Sequence, residues 1–182
     1  MGDSLTDGLA LYGEMDDATV MGETGMSAYT ALKHTFTING KKQYVADAVA
    51  AASPKAVYVL LGSNDIAEGY SVAKYTGFYG QLLDEIHAKC PSSKLYVQSI
   101  FPVTAAYEHK KFSSGAYVTN AKIDDFNTAL QTLASAHGAA YLDVASVLKG
   151  PDGKLPASAS DDGMHLHKSY YDKWFQYLAA HR

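Results

Sequence analysis

Four short segments hold the residues best suited to chemistry: Gly2-Asp3-Ser4-Leu5-Thr6, Gly22-Glu23-Thr24-Gly25, Gly62-Ser63-Asn64-Asp65 and Asp162-Gly163-Met164-His165. They offer a serine, a glycine-rich turn, an amide side chain, and an acid one helical turn before a histidine. Acyl transfer at neutral pH needs a hydroxyl activated by a base, a group orienting that base, and donors aimed at a developing oxyanion. This inventory supplies each part once. Asp162 and His165 can meet on one turn, so a single loop can carry both orienter and base. Gly25 has no Cβ to keep its backbone N–H away from a substrate, and Asn64 can donate from its amide. Each segment alone has a plainer reading: a turn for Gly-Asp-Ser, a helix cap for Asn-Asp, a surface pair for Asp-x-x-His. Their joint occurrence, in this order, favours the chemical reading.

The elements that must position these residues alternate along the chain. Ala18 to Gly22 reads as a short strand and Ser27 to Lys33 as a helix with Ser27 as N-cap. Phe36 to Ile38, Asn39-Gly40 and Lys41 to Tyr44 read as a hairpin, because Asn-Gly readily takes the positive φ angles of a type I′ turn. Val45 to Ala52 is alanine-rich and helical, stopped at Ser53-Pro54. Ala56 to Leu61 is a continuous apolar run of strand length, suited to a parallel strand buried on both faces. From Ser71 to Lys89 the apolar residues Val72, Tyr75, Phe78, Tyr79, Leu82, Leu83 and Ile86 mark one face of a long helix. Lys94 to Ile100 is another strand. The polar stretch Thr104 to Val118 reads as a functional loop over the sheet's edge. A helix over Asn120 to His137 ends at Gly138, a strand spans Ala140 to Val144, and His167 to Ala180 closes the chain as a helix.

This alternation predicts an α/β fold, a three-layer α/β/α sandwich around a mainly parallel, flavodoxin-like sheet, with residues 1–182 forming one domain. Ligands of such sheets sit beyond the carboxyl ends of the strands. Motifs that follow strands directly should therefore converge there.

Composition removes several partners. With 15 Lys and Arg against 19 Asp and Glu the net charge is −4, and no basic stripe exists to hold nucleic acid. A lone cysteine, Cys90, forms no disulfide within the chain and reads as a small packing residue before Pro91. No apolar run approaches the ~18–20 residues of a membrane span. The 14 tyrosines, against one tryptophan, suit both the core margin and clefts that meet polar substrates.

The order and content of the four segments resemble the SGNH hydrolases, also called GDSL esterases and lipases, from Gly2 to about Trp174. The resemblance implies Ser4 as nucleophile, with Asp162 and His165 completing a catalytic triad. It implies an oxyanion hole from Ser4, Gly25 and Asn64, with Gly22 as a structural companion of Gly25; the Gly22–Gly25 block is the least specific match. It also implies a hydrophobic strand before Gly2, which here is cut short to Met1. An exported or cell-surface bacterial enzyme is expected, its membrane attachment, if any, residing in a segment upstream of Met1; a cytoplasmic enzyme is the alternative.

The expected substrate is a small-molecule or carbohydrate ester, with acetyl or another short acyl group. No cofactor and no metal are expected, and a chelator should leave the rate unchanged. The same fold also serves O-acyl transfer, or binding of carbohydrate or cell surface without catalysis. Other hydrolase signatures fit less well. The Gly-x-Ser-x-Gly elbow is absent, its nearest approach being Gly69-Tyr70-Ser71-Val72-Ala73. Ser71–Lys74 and Ser146–Lys149 match Ser-x-x-Lys without its companion motifs. A metal site from Asp161, Asp162, His165 and His167 has suitable ligand types, but His165 and His167 would point apart on an extended segment.

Overall fold

The computed structural model describes residues 1–12 and 18–181. Its strands are β1 (Thr35–Ile38), β2 (Lys41–Tyr44), β3 (Ala56–Val59), β4 (Lys94–Gln98) and β5 (Ala140–Leu142). β1 and β2 form the expected antiparallel hairpin, with Asn39 at φ 52° and Gly40 at φ 74° in the turn. β3, β4 and β5 form a parallel sheet in that order, in register Tyr58↔Tyr96 and Val97↔Tyr141. Chain-consecutive neighbours in a parallel sheet require crossovers over one face.

Beside β3, Met1 and Gly2 run parallel to both of their neighbours. Gly2 bridges Gly22 on one side and Leu60 on the other. The Gly2 N–H donates to the Met21 carbonyl at 3.0 Å and the Leu60 N–H to the Met1 carbonyl at 3.1 Å. The strand expected over Ala18–Gly22 is thereby reduced to a bridge at Gly22, because so short a neighbour offers only one rung of ladder. The Met1 nitrogen donates to the Tyr58 carbonyl at 2.6 Å, extending the contact with β3.

The helices are α1 (Ser4–Asp7), α2 (Leu9–Tyr12), α3 (Ala28–Ala31), α4 (Val45–Ala51), α5 (Ser63–Ala67), α6 (Val72–Lys89), α7 (Asn120–Ala136), α8 (Ala145–Leu148) and α9 (Lys168–Ala180). They form two groups. α3 and α4 pack on α6, and α6 on α7, which lies against β4 and β5. α2 and α8 pack on α9, where the Trp174 indole donates to Gln98 of β4. These groups are the outer layers of the α/β sandwich.

α6 shows why burial here is tolerated by polar side chains. Tyr75, Tyr79, Leu82, Leu83 and Ile86 are spaced by three and four and are all fully buried. The Tyr75 hydroxyl donates to the Leu61 carbonyl at 3.0 Å and the Tyr79 hydroxyl to the Val59 carbonyl at 3.2 Å. Each such bond contributes only about 1 kcal/mol net, but leaving the hydroxyl unpaired would cost more. Both bonds pin α6 to the carboxyl end of β3, where the chain turns into Gly62 and Asn64.

Two asparagines of α7 do the same for the segment after β4. Asn127 accepts from the Ile100 N–H at 2.7 Å and donates to the Ile100 carbonyl at 3.0 Å. Asn120 pairs in the same way with Val103, at 3.1 and 2.9 Å. From there the Thr104–Val118 stretch contains a 3₁₀ turn, Tyr107–His109, and a bridge between Lys111 and Tyr117. Glu108 anchors the stretch by accepting from Asn120 and pairing with Lys154.

Candidate active site

Ser4 opens α1. Asp3 caps that helix, its Oδ1 accepting from the Leu5 N–H at 3.0 Å. The Tyr171 hydroxyl of α9 donates to the Leu5 carbonyl at 3.0 Å and fixes α1 from behind. On its other side α1 meets Gly22, where an added Cβ would lie 2.3 Å from the Asp7 nitrogen and 2.4 Å from its Cα. No side chain fits there, so Gly22 permits the close approach that seats α1.

Asp162 and His165 stand between the 3₁₀ turn Ala157–Ala159 and α9. Asp162 Oδ1 accepts from the Met164 N–H at 2.9 Å, the His165 N–H at 2.8 Å and the Ser160 hydroxyl at 3.0 Å. Its Oδ2 accepts from His165 Nδ1–H at 2.6 Å. With that proton on Nδ1, Nε2 is left as an acceptor, and the Ser4 hydroxyl lies 2.8 Å from it. Burial alone would raise the Asp162 carboxyl. The bonds from the His165 ring and from the two backbone N–H groups outweigh it and hold the group well below the usual carboxylate range. The segment is backed by the Thr104–Val118 stretch: the Thr104 N–H donates to the Gly163 carbonyl at 3.0 Å and the Tyr107 hydroxyl to Met164 Sδ at 3.1 Å. Gly163, at φ 92°, has no room for a Cβ against Thr104 and Tyr107.

The two other expected residues lie in adjoining loops. Asn64 is in α5, directly after β3, and its Nδ2 donates to the Met26 carbonyl at 3.0 Å and faces Asp3 Oδ2 at 3.4 Å. Gly25 is exposed at φ 80°, in a turn closed by the Met26 N–H on the Glu23 carbonyl at 3.1 Å. None of the described residues accepts from its N–H. Ser4, Asp162 and His165 are thus in direct contact. Asn64 reaches them through Asp3, and Gly25 is tied in by its neighbour Met26.

Three residues that the sequence reading passed over organise this arrangement. Ser160 supports Asp162. Asp65, fully buried, accepts from the Ala28 N–H with both oxygens, at 3.1 and 3.0 Å, and locks the Gly25–Ser27 segment to α5. Asp3 is equally buried, and burial pushes both carboxyls up to about 7. Their signal was present, since each adjoins a residue singled out for chemistry. Their partners, however, are distant in sequence.

The adjoining pair behaves differently. Asp161 turns to His167, Oδ2 to Nε2 at 3.1 Å, while His167 Nδ1 faces the Ser158 carbonyl. Among the described residues no group of three or more His, Cys, Asp or Glu is placed to hold a metal ion. A cleft of about 690 Å³ lies beside Asp162, lined by Thr104, Lys110, Asp152, Ser160 and Asp161 among others. A second cavity, of about 530 Å³, lies between Val20-Met21 and β3 and is lined by Met1, Thr6 and Leu9 but not by Ser4.

A sequence profile of the GDSL-like Lipase/Acylhydrolase family matches residues 1–173. No curated protein sequence matches the chain. Among solved structures, a Bacteroides fragilis protein described as an acylhydrolase is 20% identical with a TM-score of 0.78, covering 100% of this chain and 83% of that one. A GDSL-like lipase from Bacteroides thetaiotaomicron is 18% identical with a TM-score of 0.76, covering 100% and 84%. A carbohydrate esterase family 3 protein from Talaromyces cellulolyticus is 19% identical with a TM-score of 0.65, covering 100% and 93%. At these identities the likeness is one of fold.

Proposed function

This chain belongs to the GDSL-like lipase/acylhydrolase family, and on that footing we propose that it is a serine esterase working through an acyl-enzyme on Ser4. The observation that carries the proposal is the continuous contact from the Ser4 hydroxyl through the His165 ring to the Asp162 carboxylate, at 2.8 and 2.6 Å. As Ser4 Oγ attacks the ester carbonyl, its proton passes to His165 Nε2. Asp162 keeps the ring in the right tautomer and stabilises the imidazolium. The oxyanion is met by the N–H of Ser4, the N–H of Gly25 and the amide of Asn64. His165 then protonates the departing alcohol, and afterwards takes a proton from the water that frees the acid.

The substrate we propose is a short acyl group, acetyl above all, on a carbohydrate. The side chains of Asp162 and His165 are each 49% exposed, so the site is shallow. Such a site grips a small acyl group and leaves a bulky alcohol in solvent. The cleft beside Asp162 places Lys110, Asp152 and Asp161 next to Tyr107, Leu155 and Pro156, offering polar groups to sugar hydroxyls and apolar surface to the face of a sugar ring. The fold shared with a carbohydrate esterase agrees with this direction. A panel of p-nitrophenyl esters of rising chain length, assayed beside acetylated sugars, tests it. Acetyl esters should be turned over fastest; a preference for long acyl chains would sink the carbohydrate reading.

A further inference from the structure

We propose that Asp3 is a positioning residue that sets the orientation of the Asn64 amide for oxyanion binding. The inference deepens the esterase reading and rests on it. Asp3 is 1% exposed and has two jobs in the structure, one for each oxygen. Oδ1 caps α1 through the Leu5 N–H at 3.0 Å. Oδ2 faces Asn64 Nδ2 at 3.4 Å, across 61 residues of sequence.

The Asn64 amide nitrogen carries two hydrogens. One is committed to the Met26 carbonyl at 3.0 Å. The other meets Asp3 at a distance longer than the ~2.9–3.0 Å typical of N–H···O bonds, so that contact is weak. Two acceptors at fixed positions define the plane of the amide. The weak contact leaves the second hydrogen free to move to a stronger acceptor, and the oxyanion of the tetrahedral intermediate on Ser4 would be one. Ser4 is the next residue after Asp3, so the carboxyl oxygen that steers Asn64 is also fixed relative to the nucleophile. Without Oδ2 the amide retains only the Met26 bond and can turn about it.

The cap and the steering role can be separated. Serine is as good an N-cap as aspartate, so Asp3→Ser keeps the Leu5 bond but cannot reach Asn64. Asp3→Asn also caps, and presents to Asn64 an amide whose N–H₂ end would oppose its donor. These variants would be compared with Asn64→Ala and the double variants, using kcat and KM for p-nitrophenyl acetate, thermal midpoint, and proton exchange at the Asn64 side-chain amide. Asn64→Ala should lower kcat by roughly 10²–10³. Asp3→Ser should lower kcat by roughly tenfold, less than loss of the Asn64 amide itself, with KM little changed. In the Asn64→Ala background the same change should cost almost nothing further. The Asn64 amide protons should exchange roughly fivefold faster in Asp3→Ser, the measure of one lost neutral hydrogen bond.

Equal losses with and without Asn64, or unchanged amide exchange in Asp3→Ser, would overturn the proposal. A change in thermal midpoint alone would reduce Asp3 to a helix cap. The exchange measurement does not depend on turnover. A wild-type protein that cleaves no ester would therefore defeat the esterase reading and leave the Asp3–Asn64 relation to be judged separately.

Discussion

The Ser4 hydroxyl and His165 Nε2 lie 2.8 Å apart although 161 residues separate them. Their contact is held by two independent supports. Tyr171 fixes the helix that carries Ser4, and Thr104 and Tyr107 fix the segment that carries His165. Residues joined in this way should act as a unit. Ser4→Ala and His165→Ala should each abolish most ester turnover, and the double variant should be no worse than the poorer single one. Both should keep the wild-type circular dichroism spectrum, because neither side chain fills the core. Wild-type turnover in Ser4→Ala would place the nucleophile elsewhere.

Asp161 and Asp162 are neighbours in sequence with separate duties. Asp162 accepts four hydrogen bonds, one of them from His165 Nδ1, whereas Asp161 pairs with His167 and is 96% exposed on its side chain. Asp162→Asn should lower kcat by roughly 10²–10⁴, because an amide no longer fixes the His165 tautomer. Asp161→Asn should stay within about twofold, since exposed ion pairs contribute little. Comparable losses in the two would mean that the wrong carboxylate has been assigned to His165.

Much of this arrangement was legible in the sequence, and the parts that were not share a physical cause. α6 was readable because eighteen residues sample the helical period many times. α1, α2, α5 and α8 have four or five residues each, too few for any period to show. Ser27 was readable as a cap because its partner, Thr30, is local. Asp3 and Asp65 were not, because Asn64 and Ala28 lie 61 and 37 residues away. Asp162 and His165 carried their relation in their spacing; the contact of His165 with Ser4 needed the fold. The strand foreseen over Ala18–Gly22 failed for want of a partner long enough to pair with it.

Gly22 and Gly25 belong to one motif and should fail differently. At Gly22 a Cβ would strike the backbone of Asp7, which cannot yield without moving α1. Gly22→Ala should therefore cost roughly 3 kcal/mol of stability and displace Ser4, lowering turnover as well. At Gly25 a Cβ meets open space, but φ is 80°, a conformation that costs alanine roughly 1–2 kcal/mol. Denaturant midpoints for the two variants measure the difference. A larger loss at Gly25 than at Gly22 would contradict the packing described for α1.

Asp65 predicts a dependence of stability on pH. Burial, opposed by the Ala28 N–H, moves its carboxyl from 3.8 to about 7 in the folded protein. Between those values the folded protein keeps a proton that the unfolded chain has released. Stability from this group must fall as pH rises through that window, and is constant above and below it. The amide introduced by Asp65→Asn would still accept from Ala28 through its carbonyl oxygen and has no proton to lose. Asp3 titrates in both proteins, so its contribution largely cancels in the difference. Moving from about pH 5 to about pH 8, Asp65→Asn should gain on the wild type by an amount on the order of 2 kcal/mol. Urea unfolding of both proteins at the two pH values reads this directly. A difference that does not change with pH would mean that Asp65 folds as an ionised group, balanced by something other than the Ala28 N–H.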